Sequence, residues 1–235
     1  MLTGRMNILI DACVAAAYFA PKTTISKHLR SRSKVLIEAA SADPEVNVLI
    51  PNFCIAETYS TFEKYRWGTW NRHVTPGKRL TANELKKAQD DFGRAIHNGR
   101  TMLQYELNRY HIICVDLIAP INAHYKIARD RSSKNKKNVV PASTFDTLII
   151  SMGIWLQKQH GRVHFRLVTG DERIEQIVRR AKSEKLAKQM KDYLSKKAKL
   201  LSMDYSTDIY PDVIDLTHAT KSRLQEAFPN LDVSW

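Results

Sequence analysis

The run Asn7-Ile8-Leu9-Ile10-Asp11-Ala12-Cys13 constrains the fold more than any other stretch. Asn7 to Ile10 reads as a short strand that is apolar along its length rather than alternating, which marks a strand covered on both faces, as in parallel sheets. The alanine-rich residues after it read as a helix. Asp11 therefore stands where a strand ends and a helix begins. In open α/β sheets ligands bind at that carboxyl edge, so the question is whether other acids reach it.

The rest of the chain repeats the alternation. Thr24 to Ala40 has helical character, with basic residues between Lys27 and Lys34 on its exposed side, and Asp43-Pro44 breaks it. Val46 to Ile50 is a second apolar strand ending at Pro51. A helix follows, with Asn52 as its cap and Ile55, Tyr59 and Phe62 on one buried face. Asn83 to Arg109 is expected to be a long polar helix weakened by Gly93 and Gly99, His111 to Asp116 a third strand, and Pro120 to Arg131 a further helix. Ser143 to His160 is a helix apolar nearly all round, ended by Gly161. Phe165 to Thr169 is a fourth strand, Gly170 a turn, and Asp171 opens the next helix. This order predicts an α/β fold with a mostly parallel sheet and helices on both faces.

With 235 residues, 43% of them hydrophobic, the chain can fill one core with elaborations. The expected division is a catalytic domain over 1–182, with an insertion at about 66–109, and a basic helical C-terminal extension over 183–235. No apolar segment approaches the roughly 18 residues that span a bilayer, and no signal-peptide pattern opens the chain. Cys13, Cys54 and Cys114 are few, separated and set in apolar sequence, as reduced core thiols are. The expected location is cytoplasmic. A net charge of +13 points to a polyanionic partner, nucleic acid before a membrane.

Three basic stretches stand out. Arg66 to Leu80 interleaves Trp67 and Trp70 with basic side chains; this suits stacking on bases while cations track phosphates, and it equally suits aromatics anchoring a long loop. Arg129 to Asn138 reads as a solvated basic loop. Arg179 to Leu201 is a lysine-rich helix, which three readings fit: solvated surface, phosphate-contacting arm or partner-binding element. Val213 to Leu216 suggests a small edge strand, and a last short helix follows.

Four acids gather at the predicted sheet edge: Asp11 after the first strand, Glu57 in the second turn of the helix after the second, Asp146 in the first turn of the buried helix, and Asp171 after the fourth strand. Each has a structural reading. Asp11 and Asp171 suit helix N-caps, and Ser143-Thr144-Phe145-Asp146 resembles a capping box. Glu57 has no basic neighbour one helical turn away, and an unpaired Asp146 on a buried helix is costly. Together they suit a hard divalent cation, which relieves the repulsion between carboxylates and can activate water beside a phosphodiester.

Four blocks, Ile8-Leu9-Ile10-Asp11-Ala12-Cys13-Val14, Ile50-Pro51-Asn52 leading to Ala56-Glu57, Phe145-Asp146-Thr147-Leu148-Ile149-Ile150-Ser151 and Leu167-Val168-Thr169-Gly170-Asp171, resemble the PIN-domain nucleases, and within them the VapC-type ribonuclease toxins. The resemblance runs from about Asn7 to Arg180. It implies a three-layer α/β/α PIN-like fold. It also implies Mg²⁺ or Mn²⁺ held by Asp11, Glu57, Asp146 and Asp171, with Thr169 near the metal or water, and hydrolysis of RNA. Expected partners are RNA, an antitoxin protein and a second copy of the chain. The length, the tryptophan-bearing insertion and the basic C-terminal segment depart from the compact toxins.

Asp116 matches no family position and reads as a strand terminus. His73, His97, His111, His124, His160 and His164 show no ligand spacing, and neither a Gly-x-Ser-x-Gly elbow nor a P-loop occurs. The expected activity is metal-dependent endoribonucleolysis. The alternatives are a non-catalytic nucleic-acid-binding scaffold and a DNA structure-specific nuclease.

Overall fold

Five parallel strands make the middle layer: β1 (Met6–Ile10), β2 (Val46–Pro51), β3 (Leu103–Tyr105), β4 (Phe165–Thr169) and β5 (Val213–Asp215), in the order β3-β2-β1-β4-β5. The computed structural model describes residues 4–20, 27–67, 79–132 and 143–233. As the uncharged run predicts, β1 is central and Ile8, Leu9 and Ile10 are fully buried. Its one polar residue is satisfied across the register: Asn7 lies opposite Asn47, whose amide donates to it at 3.1 Å, and Asn7 donates to the Arg5 carbonyl at 3.0 Å.

The chain walks outward from β1 to β2 to β3, then returns past β1 to β4 and β5. Right-handed crossovers in two opposite directions must lie on opposite faces of the sheet. Accordingly α1 (Ala12–Phe19), α2 (Lys27–Ala42), α3 (Asn52–Trp67) and α4 (Ala82–Asn98) pack together on one face. α5 (Arg109–Ser132), α6 (Thr144–His160), α7 (Glu172–Ala181) and α8 (Glu184–Lys199) pack on the other. The fold is a three-layer α/β/α sandwich, and its strand order reverses between β1 and β4. After β5 comes α9 (Lys221–Ala227), and Tyr210, Leu224 and Phe228 join the same buried core.

Several expectations change. The helix predicted from Asn83 to Arg109 stops at Asn98, because Gly99 adopts a left-handed φ of +61° and caps it. The freed segment forms β3. The strand predicted at His111 to Asp116 is instead the start of α5, which runs on through Pro120. Cys114, Leu117, Ile118 and Ile121 are buried at helical spacing while Ile112 is 52% exposed, a pattern no internal strand allows. Asp116 is therefore mid-helix, paired with Lys197 at 2.7 Å, and not at a strand end. On α3 the fully buried face is Cys54, Thr58 and Phe62, with Ile55 and Tyr59 only half-buried against it. Two basic residues of α2, expected on its exposed side, are instead engaged within the fold. Arg30 donates to the Ala20 carbonyl at 2.9 Å, and Arg32 to the Leu216 and Thr217 carbonyls at 2.8 and 2.7 Å. Residues 68–78 of the tryptophan stretch and 133–138 of the second basic stretch lie outside the described residues. No helix among the described residues is long and apolar enough to cross a membrane.

The start of α5 has a capping box in which histidine replaces glutamate. The Asn108 Oδ1 accepts from the Tyr110 N–H at 2.9 Å, and the His111 Nδ1 accepts from the Asn108 N–H at 2.9 Å. Nε2 then carries the proton and faces the Tyr105 hydroxyl at 3.2 Å. Burial lowers the His111 pKa to about 4. Below pH 6.5 the unfolded chain takes up this proton before the folded one does. The neutral imidazole thus contributes stability in full above pH 6.5, and that contribution is gone below pH 4, a loss on the order of 3 kcal/mol. His111→Asn, which keeps an acceptor near Nδ1, should flatten the fall in unfolding free energy between pH 6.5 and 5. An unchanged slope in urea titrations would remove His111 as its source.

Candidate functional site

The crevice at the carboxyl ends of β1 and β4 is where the strand order reverses, the place where an open α/β sheet leaves room for a ligand between diverging loops. Asp11 closes β1 and caps α1: its Oδ1 accepts from the Val14 N–H at 2.9 Å and from the Cys13 thiol at 2.8 Å. Its Oδ2 accepts from the Thr169 hydroxyl in a short bond and from the Gly170 N–H at 3.4 Å. Both oxygens are thus tied to protein, one to its own helix and one to the neighbouring strand. Burial raises the Asp11 pKa, these donors oppose the rise, and the charge of Asp171 adds to it.

Thr169 is fully buried at the end of β4 and serves both acids: it donates to Asp11 and accepts from the Asp171 N–H at 2.9 Å. This close approach of α1 and α2 to the end of β4 favours glycine next. A Cβ on Gly170 would come within 2.7 Å of Leu29 and 2.8 Å of the Cys13 sulfur. Burial and the neighbouring Asp11 raise the Cys13 pKa, so its sulfur is a thiol donor.

Asp171 caps α7 by accepting from the Arg173 N–H at 2.9 Å. Asp146 stands in the first turn of α6 in a complete capping box with Ser143, accepting from the Ser143 N–H at 2.7 Å. The capping readings of Asp11, Asp146 and Asp171 therefore hold. Glu57, on the other face of the sheet, has its pKa raised first by burial and then by the charges of Asp11, Asp146 and Asp171, with Lys64 opposing the rise. Asp146 is raised by burial and by Asp171. The Glu57 carboxylate makes no hydrogen bond or ion pair among the described residues.

Two features escape a reading from single positions. The Arg173 guanidinium grips Asp171, with Nε 2.9 Å from both oxygens, and lies 3.8 Å from Asp146. Its raised pKa follows first from the bond to Asp171. The chain's own cation thus sits between two of the acids, and the Asp-x-Arg spacing was its signal. At the rim, Phe145 is 46% exposed and stacks on Phe53, ring centroids 5.6 Å apart and planes 12° from parallel. Phe145 precedes Asp146, and Phe53 is one turn before Glu57 on α3, so the pair stands between two acid-bearing helices.

The donors at the crevice are carboxylate and hydroxyl oxygens, with no imidazole or thiolate brought in, a set suited to a hard cation rather than zinc. Among the described residues, no group of three or more histidine, cysteine, aspartate or glutamate side chains is gathered closely enough to hold a metal ion. No protein-family model matches the sequence, and no curated protein matches it significantly.

Mutual repulsion gives a first test of the cluster. Neutralising Glu57 removes a charge that three carboxylates oppose and Lys64 alone favours, and breaks no hydrogen bond among the described residues, so Glu57→Gln should raise the melting temperature by a few degrees at pH 7 in metal-free buffer. A lower melting temperature would mean that the carboxylate makes a stabilising contact.

Proposed function

We propose that the protein is a divalent-metal-dependent nuclease of single-stranded RNA, of the kind that the PIN-domain resemblance implies. The observation that carries this reading is that four carboxylates on separate elements near the strand-order reversal feel one another's charge, with Glu57 making no hydrogen bond or ion pair among the described residues. Fold stability does not call for such a group, since ionised neighbours oppose folding. Asp11, Glu57, Asp146 and Asp171 would hold Mg²⁺ or Mn²⁺, which when bound there supplies charge neutralisation on a phosphodiester and a lowered pKa for water.

The protein's own residues do the positioning. Thr169 fixes the Asp11 carboxylate and the Asp171 backbone through one hydroxyl, so the two acids move as a unit. Cys13 and the Val14 N–H hold the other Asp11 oxygen. Arg173 neutralises Asp171 and faces Asp146, and its guanidinium fork has the geometry that pairs with phosphate oxygens. Phe145, exposed beside Asp146, offers a face on which an unpaired base stacks.

The Arg173 grip also favours a second reading, a nucleic-acid-binding scaffold in which an internal cation permanently satisfies the acids. Calorimetric titration with Mn²⁺ separates the two: the nuclease binds the ion and Asp146→Asn abolishes the heat, whereas the scaffold shows no binding that this substitution removes. A toxin role with an antitoxin partner or a second copy of the chain rests on the resemblance alone. Growth arrest on expression, relieved by Asp11→Asn, would support it. Parallel RNA and DNA substrates address the polymer.

Incubated with single-stranded RNA and Mn²⁺, Asp11→Asn and Asp146→Asn should each cleave at least about 100-fold more slowly than the unaltered protein. Equal cleavage by all three would remove these acids from the reaction. Phe145→Ala should weaken single-strand binding roughly tenfold while leaving Mn²⁺ affinity unchanged. Unaltered RNA affinity would reduce the rim to packing.

A further inference from the structure

Beyond β4 the carboxyl edge of the sheet carries another acid. Asp215 closes β5 opposite Thr169 in the register, one strand spacing, about 4.8 Å, from β4, and its side chain is buried. One oxygen accepts from the Thr217 N–H at 2.8 Å, and the other meets Nδ1 of His218 at 2.7 Å. The turn that carries this histidine is fixed from several sides. The Leu216 N–H donates to the Thr169 carbonyl at 2.8 Å, the Thr217 hydroxyl to the Gly170 carbonyl at 3.0 Å, and Arg32 to the carbonyls of Leu216 and Thr217. The Ala219 N–H closes the turn on the Asp215 carbonyl at 2.8 Å. His218 is thus anchored to the residues that lead from β4 into Asp171, while its side chain stays 63% exposed.

The tautomer follows from this arrangement. An ionised carboxylate only accepts, so the nitrogen facing it, Nδ1, carries a proton whether the ring is neutral or charged. Nε2 is therefore the nitrogen that titrates, and it makes no hydrogen bond among the described residues. With Nε2 protonated, the ring presents an N–H donor and the pair with Asp215 is neutral. With Nε2 bare, the donor becomes an acceptor and the pair carries one negative charge. Charged groups on the elements around the turn are Glu172 and Glu175 of α7, Arg32 of α2, and Lys221 and Arg223 of α9. Glu175 is engaged by Arg223 and Glu172 by Gln176. The bond to Asp215 first, then that residue's charge, and last Glu172 and Glu175 raise the His218 pKa above its ordinary value, which brings the change of state closer to neutral pH.

We propose that His218 is a proton-gated contact for single-stranded RNA, donating from Nε2 to a phosphate oxygen of a nucleotide beside the one presented to the carboxylates. A charged donor held in one orientation makes a strong, directional bond to a phosphate oxygen, and its loss on deprotonation leaves an acceptor and a negative charge facing the same oxygen. A histidine that only completed the Asp215 turn would use Nδ1 and leave the state of Nε2 without consequence for a ligand. The proposal rests on the nuclease reading for the course of the strand past the crevice, but the contact itself needs no turnover.

The test is fluorescence anisotropy of the full chain with a short labelled single-stranded RNA in EDTA, at constant ionic strength from pH 6 to 8.5. Affinity should fall about tenfold as the pH rises through the titration of His218, the worth of one hydrogen bond to a charged group. His218→Gln should bind with an affinity that no longer follows pH in this range. Asp215→Asn keeps an acceptor for the Thr217 N–H but removes the charge, so it should move the midpoint of the affinity change to lower pH. The imidazole resonances of His218 followed by NMR should show the same displacement in the absence of RNA, and circular dichroism checks that both variants fold. A pH dependence that persists in His218→Gln would overturn the proposal, as would a midpoint that Asp215→Asn leaves in place or a lack of RNA binding at pH 6. Cleavage assays with Mn²⁺ on Asp146→Asn run alongside. If that variant cuts normally while His218→Gln abolishes the pH dependence of binding, the nuclease reading falls and the contact stands. If it is inactive and His218→Gln binds as the unaltered protein does at every pH, the reverse holds.

Discussion

The bond between the Thr169 hydroxyl and the Asp11 carboxylate joins the ends of the two strands at which the sheet reverses direction. Around it the other local choices follow. Asp11 is buried, and a buried carboxylate is tolerated only when its acceptors are filled. Two donors come from the helix it caps and two from the neighbouring strand end. That geometry draws α1 and α2 so close to the end of β4 that a Cβ at residue 170 would push against Cys13 and Leu29. Through the same hydroxyl it holds the Asp171 N–H, which sets the start of α7 and hence the position of Arg173. A single buried side-chain pair thus fixes helices on opposite faces of the sheet relative to one crevice.

The crevice combines satisfaction with conflict. Asp11, Asp146 and Asp171 all have the hydrogen bonds expected of caps, and helix N-termini favour negative charge. Capping accounts for each acid singly but not for their proximity, which adds to the burial that chiefly raises the pKa of Asp11, Glu57 and Asp146. Arg173 relieves part of this conflict by engaging Asp171 and facing Asp146, and leaves Glu57 out. Glu57 is the acid whose presence neither capping nor ion pairing explains, and it weighs most toward a ligand.

Most of what positions the crevice is legible in the sequence because it is local. The uncharged runs at β1, β2 and β4, the caps at Asp11, Asp171 and Ser143, and the glycine turn each follow from a few adjacent residues. Misreadings arise where local preference is ambiguous. Ile112, Ile113 and Val115 favour a strand by type, but the Asn108 to His111 cap and the spacing from Cys114 to Ile121 commit the segment to a helix. Strand β3 is three residues long and borrows its stability from pairing with β2, so nothing in its own composition marks it. Arg30 and Arg32 look like solvent-facing charge in sequence because their carbonyl partners on the fold are fixed only by tertiary packing.

Net charge tells little until it is divided in this way. Of the 37 lysines and arginines in the chain, the structure commits part to internal contacts: Arg162 and Lys182 to Asp212, Lys197 to Asp116, Arg223 to Glu175, Arg32 to backbone carbonyls. Cations used this way hold elements together and project little field.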